Sequence, residues 1–94
     1  MSEQILFVKG FYESDGSGGE EHKCSLKKKE IGWNPPILNT SIILPNGEEF
    51  FVERIVQDLK EDSFIVYEKI IFQYYEPTKL LIAVKEHMEK GWKK

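Results

Sequence analysis

The sequence predicts an α+β protein with a twisted antiparallel sheet of about five strands, curled toward a small β-barrel, and one C-terminal amphipathic helix packed on the sheet. Three observations predict this class. Short runs rich in β-branched and aromatic residues alternate with turn signals. Asn46-Gly47 is a strong hairpin signal between two such runs. The last apolar pattern, which follows Pro77, repeats at helical spacing.

The N-terminal third predicts two strands joined by a flexible loop. Gln4 to Glu13 reads as a first strand, and Gly10 inside it indicates a bulge or a bend. The glycine-rich segment 14–20 is expected to be the loop. From 21 to 31, apolar or small residues alternate with lysines, which favours a half-buried edge strand protected from aggregation by its charges.

Two hairpins are predicted after a proline-containing connector at 32–39, in which Trp33 is the expected anchor. A type I′ turn at Asn46-Gly47 would pair Ile43 with Phe50. A second hairpin, centred on Lys60, would join strands at 49–57 and 63–73 and pair Arg54 with Val66.

These registers give a sheet that is apolar on both faces, and one helix covers only one of them. The helix is expected at about 77–90, with Leu80, Leu81, Val84 and Met88 on its buried side. Gly91 would end it and Trp92 would fold back onto the domain. The second face is covered either by the N-terminal hairpin or by another chain.

The second apolar face is therefore the predicted partner-binding surface. Its members are apolar or aromatic: Phe51, Ile55, Ile65, Tyr67 and Ile71. Arg54, which the predicted register places on the other face, is added to the predicted binding residues as a polar anchor. The competing interpretation of Arg54 is a structural ion pair with Glu68, because an unpaired buried charge is costly.

A second surface is predicted for single-stranded nucleic acid, because such sites combine a basic groove with aromatic rings. Its candidate residues lie on the first two strands: Lys9, Phe11, Tyr12, Lys23, Lys27, Lys28 and Lys29. The net charge of −3 disfavours duplex nucleic acid, whose binding needs a basic excess.

The sequence contains no complete motif for catalysis, for a metal site or for a cofactor site. The segment 14–19 lacks the following helix that a phosphate loop needs, since a strand-like pattern comes next. His22, Cys24 and His87 supply too few ligands for a structural zinc site. The carboxylate pairs fall in predicted turns, and no nucleophile and base can be matched. We therefore predict no catalytic residue, no metal and no cofactor.

Length and composition bound the remaining alternatives. The chain has 94 residues with 40% hydrophobic and 31% charged residues, which predicts a single domain over 1–94. Cys24 is the one cysteine, whereas small secreted domains usually carry disulfides, so a cytoplasmic location is expected. Met1 to Lys9 lacks a signal-peptide pattern, and no apolar run approaches the ~20 residues of a membrane span.

The function predicted from these observations is a non-enzymatic protein-interaction module, either a homodimer or an accessory or inhibitory protein of a mobile element. The first alternative is single-stranded nucleic-acid binding through the lysine and aromatic surface. The second alternative is a small-ligand or enzymatic site at the mouth of a small barrel.

Overall fold

The computed structural model describes residues 3–32 and 36–94, so Trp33 in the predicted connector lies outside the described residues. Six strands and one helix follow in chain order: β1 (Glu3–Ser14), β2 (Glu20–Gly32), β3 (Ser41–Ile43), β4 (Glu49–Phe51), β5 (Arg54–Asp58), β6 (Ser63–Gln73) and α1 (Pro77–Glu89). The α+β class, the mostly antiparallel sheet and the C-terminal helix are confirmed.

The predictions of five strands and of a barrel are wrong. Within the described residues the strands form an open four-stranded sheet in the order β2-β1-β6-β5 and a separate two-stranded sheet of β3 and β4. The predicted strand at 49–57 is interrupted at Val52, whose amide donates to the Thr40 carbonyl and whose carbonyl accepts from Asn39. This turns β3 and β4 into a hairpin of their own, so they do not extend the main sheet.

The β3–β4 register differs by one residue from the predicted one, because Ile43 pairs with Glu49. A two-residue loop would place Pro45 in the position that must donate a closing hydrogen bond, and proline has no N–H. Leu44 therefore takes that position, with its amide 2.8 Å from the Glu48 carbonyl. The loop becomes three residues long, with Gly47 at φ 90°.

The β5–β6 register is also shifted by one residue, because Arg54 lies opposite Tyr67. The turn is built around Asp58, whose Oδ1 accepts the amides of Lys60 and Glu61 at 3.0 and 3.2 Å. A shift of one residue exchanges the two faces of a strand relative to its neighbour. The predicted Arg54–Glu68 ion pair is therefore wrong, since Glu68 lies on the face opposite Arg54.

The first two strands lie as predicted, with β2 at the edge of the sheet. Gly10 accommodates a close ring, because a Cβ atom at this position would lie 2.8 Å from Cε1 of Tyr12. The Tyr74 amide donates to the Ser14 carbonyl at 2.8 Å, which joins the C-terminal ends of β6 and β1, the two inner strands of the sheet. These two neighbours therefore run in the same direction.

Helix α1 buries a face different from the predicted one. Leu80 and Val84 are buried as expected, whereas Leu81 is 66% exposed and Met88 is 45% exposed. The buried stripe continues through His87, whose ring packs against Phe11. The apolar pattern of the sequence did not indicate that a histidine lies on the core side of the helix.

The end of the helix matches the prediction. Gly91 adopts φ 100°, its amide donates to the Met88 carbonyl, and the Trp92 amide donates to the His87 carbonyl. Trp92 is 1% exposed, so it folds back as expected. The ring anchors the last residues of the chain.

The chain divides into two compact units. The first contains residues 1–8 and 29–68, and its buried core includes Phe7, Leu44, Phe50, Val52 and Val66. The second contains residues 9–28 and 69–94, and its buried core is formed by residues of β1, β2, α1 and the C-terminus: Phe11, Leu26, Leu80, Val84 and Trp92. The single domain over 1–94 stays a prediction.

Candidate functional site

The exposed face of β5 and β6 is the part of the predicted partner surface that the structure assembles. The register places Arg54 opposite Tyr67 and Val56 opposite Ile65, so these four side chains share one face. We call this surface the Tyr67 face. The Arg54 guanidinium lies 5.4 Å from the centre of the Tyr67 ring, a cation–π arrangement that holds both groups in place.

The opposite face of the same two strands is partly covered, with Val66 buried and Ile55 half-exposed. Val66 is fully buried, and Glu68 on its side accepts the Phe51 amide at 2.6 Å, which holds strand β4 there. Phe50 of that strand packs edge-on against Phe7, with ring centres 4.9 Å apart. The β3–β4 hairpin thus lies over part of this face, whereas Val56, Ile65 and Tyr67 are half-exposed on the other.

Ile55 and Phe51 do not join the Tyr67 face. Ile55 pairs with Val66 and therefore points to the side on which Val66 lies. Phe51 is on β4 and is 40% exposed, and Ile71 is an exposed residue of the second unit. Three of the six predicted residues, Arg54, Ile65 and Tyr67, are brought together.

A small cavity of about 190 Å³ opens beside the Tyr67 face in the first unit. Leu6 and Ile65 form apolar walls, and its polar lining includes Lys29, Asp58 and Ser63. Ligand pockets usually measure about 300–1,000 Å³, so this cavity suits only a molecule of roughly amino-acid size or a single side chain.

A buried lysine lies at the centre of the second unit. Lys9 is 4% exposed, and its Nζ lies 3.1 Å from Nε2 of His87 and 5.0 Å from the centre of the Trp92 ring. The His87 Nδ1–H donates to the Ala83 carbonyl at 2.7 Å, so Nε2 is the acceptor for Lys9. This network joins β1 to α1 and to the C-terminus.

The predicted nucleic-acid surface is therefore only partly exposed. Lys9 and Phe11 belong to the core of the second unit, contrary to the expectation of an open groove. Tyr12 is half-buried, with Lys69 Nζ over its ring at 4.7 Å. Lys23 forms ion pairs with Glu21 and Glu13, and the hydrogen bond that Lys23 donates to the Glu21 carboxylate raises the pKa of Lys23 above its ordinary value.

Lys27, Lys28 and Lys29 lie on β2. The first two contact residues near the C-terminus, which the sequence did not indicate. Lys27 forms an antiparallel β-bridge with Lys93, with N–O distances of 2.6 and 2.9 Å. Lys28 Nζ lies 3.5 Å from the Lys90 carbonyl oxygen. Lysines from β2 and from the C-terminus thus meet on one side of the second unit. The predicted return of Trp92 was the signal that could have found this arrangement.

The glycine-rich loop is organised by its own carboxylate. Asp15 Oδ1 accepts the amides of Ser17 and Gly19 and the Ser17 hydroxyl, at 2.8 to 3.1 Å. The hydrogen bonds from Ser17 and Gly19 lower the pKa of Asp15. The amides that a phosphate would require as donors are therefore bound to Asp15. Strand β2 follows the loop, whereas a phosphate loop is followed by a helix.

The three candidate metal ligands occupy separate environments. His22 hydrogen-bonds to Ser25 at 2.8 Å, and His87 is held by Lys9 and Ala83. Burial raises the pKa of the half-buried Cys24 thiol, while Lys94 lowers it to a smaller extent. In residues 3–32 and 36–94, no group of three or more His, Cys, Asp or Glu side chains is arranged to hold a metal ion.

Comparison of the chain with protein-family models, with curated proteins and with solved structures finds no match of any kind. No helix within the described part of the chain is long and apolar enough to cross a membrane.

Proposed function

We propose that this chain is a non-enzymatic protein-interaction module that binds its partner through the Tyr67 face. The observation that carries the proposal is the asymmetry of β5 and β6. One face carries the buried Val66 and a hydrogen bond from the β3–β4 hairpin, and the other carries the half-exposed Val56, Ile65 and Tyr67 with Arg54 over the Tyr67 ring. Tyrosine and arginine are enriched among residues that dominate binding energy at protein interfaces.

The local structure suits this role. All four members of the face lie on paired strands, and Arg54 is held over the Tyr67 ring. Side chains that are ordered before binding lose less conformational entropy when a partner docks. The first partner to test is a second copy of the chain. A role as an accessory or inhibitory protein requires a different protein as the partner. The single cysteine supports a cytoplasmic setting.

The proposal is tested by affinity purification of the tagged chain from its native cell, together with light scattering on the pure protein. R54A/Y67A removes the pair at the centre of the face. Q57A/K60A is the matched control, because both residues are exposed and lie outside the face.

We expect a dimer or a discrete partner that the wild type and the control retain. R54A/Y67A should weaken binding about 30-fold or more, which is the effect of a hot-spot loss of ~2 kcal/mol. A folded R54A/Y67A variant that binds as tightly as the control would contradict the proposal, as would a strict monomer without any partner.

A second candidate function is small-ligand binding, which the cavity beside Ile65 favours. Lys29 and Asp58 would hold opposite charges of a zwitterionic molecule, and Leu6 and Ile65 would contact its apolar part. Ligand-detected NMR with free amino acids tests this candidate. Saturation signals that vanish in S63W would support it, and their absence at millimolar concentration would exclude it.

A further inference from the structure

A second interaction surface lies where the C-terminus returns to β2. We propose that this surface binds an extended acidic segment of a partner protein, which adds to the outer edge of β2 as a strand. We define the lysine ridge by the residues that the return brings together: Lys27, Lys28, Lys90, Lys93 and Lys94. It is distinct from the Tyr67 face, since it lies in the second unit.

The main chain of β2 already pairs with an extended segment at the ridge, the chain's own C-terminus. β2 ends the sheet order, and Lys93 pairs with Lys27 in antiparallel fashion on its outer edge. This bridge involves one residue of a strand that is 13 residues long. Edge strands present main-chain donors and acceptors that an extended peptide can extend by β-augmentation.

The charge of the ridge opposes that of the whole chain. The net charge is −3, yet the segments 27–28 and 90–94 contain five lysines and no acidic residue. Lys27, Lys90, Lys93 and Lys94 are exposed, and Lys94 is close enough to lower the pKa of Cys24. Such a concentration of positive charge steers an acidic partner and fixes its register.

The ridge is held in place by a buried ring. Trp92 is almost completely buried, and the Lys28 ammonium lies 6.0 Å from its centre. The Trp92 amide donates to the His87 carbonyl at 3.1 Å, and Lys93 follows directly in the β-bridge. The position of the C-terminal lysines is therefore set by core packing.

An acidic protein segment fits the ridge better than single-stranded nucleic acid does. Sequence-tolerant nucleic-acid sites stack bases on exposed aromatic rings. The aromatic ring next to the ridge lysines is that of Trp92, and this ring belongs to the core. An open sheet edge, by contrast, specifically provides main-chain hydrogen bonds to another polypeptide.

The probe is a short fluorescein-labelled peptide in which Glu alternates with Thr. Its binding is measured by fluorescence anisotropy at low and at physiological salt. K27Q/K93Q/K94Q removes three ridge charges but keeps the bridge, which uses main-chain atoms. K60Q/K79Q/K85Q is the matched control, because these lysines are exposed and lie outside the ridge. Two further probes are the same peptide with a central proline and an oligothymidylate of equal charge.

We expect the peptide to bind, the ridge variant to bind about tenfold more weakly, and the control to bind as the wild type does. The central proline should also weaken binding, because it removes a ladder hydrogen bond. The proposal is overturned if the peptide does not bind, if the ridge variant equals the control, if proline has no effect, or if the oligothymidylate binds as tightly as the peptide.

This proposal shares with the proposed function only the protein nature of the partner. R54A/Y67A should leave the affinity for the acidic peptide unchanged, and K27Q/K93Q/K94Q should leave the partner of the Tyr67 face bound. Loss of one binding activity without the other therefore shows which of the two proposals fails.

Discussion

Replacement of Trp92 by alanine tests whether the C-terminus is part of the core or a surface attachment. The ring is 1% exposed, lies beside Lys9 and His87, and fixes the residue that bridges to β2. Truncation of a fully buried tryptophan usually costs about 3–5 kcal/mol. At about 0.05–0.15 kcal/mol per residue, 94 residues give a free energy of unfolding of roughly 5–14 kcal/mol.

The Trp92→Ala variant should therefore fold but lose a large share of its stability. Urea unfolding followed by far-UV circular dichroism should show a midpoint that falls with an unchanged slope, and Tm should fall by on the order of 20 °C. Y75A is the control, because Tyr75 is 77% exposed and its truncation should cost less than ~0.5 kcal/mol. A loss in W92A below ~1 kcal/mol, or one equal to that in Y75A, would refute the assignment of Trp92 to the core.

Three further predictions follow from the hairpin, the glycine-rich loop and the thiol. F50A should lose about 3–5 kcal/mol in the free energy of unfolding, and F51A much less, because Phe50 is fully buried and Phe51 is 40% exposed; equal losses in urea titrations would contradict the observed register. The Asp15 pKa is lowered, so its hydrogen bonds stabilise the fold at pH values above the unfolded pKa and are lost as the pH falls through the folded pKa; an NMR titration midpoint at or above that of the unfolded chain would contradict the loop geometry. Burial raises the pKa of Cys24, so Ellman's reagent should react more slowly with the folded chain than with the urea-unfolded chain, and K94Q should slow the reaction further; faster reaction of the folded chain would show that the thiol is open.

The elements themselves were accessible from the sequence, because their signals are local. The hairpin dipeptide at Asn46, the proline that begins α1 and the glycine that ends it each act within a few residues. The predicted helix and strands are accordingly present close to their expected positions. The edge position of β2 also followed from the alternation of its lysines.

The strand registers could not be predicted from the sequence, because each register depends on a single hydrogen-bonding group. Pro45 cannot close a two-residue loop, and the Asp58 side chain organises a turn over residues 59–62, one residue shorter than predicted. Each effect shifts one hairpin by one residue. The second shift placed Arg54 over Tyr67 and separated it from Glu68, which changed the composition of the candidate surface.

The long-range contacts of the lysines could not be inferred from spacing. Lys9 lies in an alternating strand, and its role became evident only when His87 and Trp92 were found against it. Likewise, Lys27 and Lys93 are far apart in the chain, and only the fold brings them together. Ile65 and Tyr67 of the predicted partner-binding set share one face because strand alternation was right within β6, and the shifted pairing brought Arg54 to them.

Site-specific photocrosslinking in the native cell tests the central claim, the binding role of the Tyr67 face, most directly. A photoreactive phenylalanine replaces Tyr67 in one variant and Gln57 in the other, since Gln57 is exposed on the opposite side of the same strand pair. We predict a discrete crosslinked product from position 67 that is absent from position 57. Equal products from both positions, or no discrete product from position 67, would contradict the account.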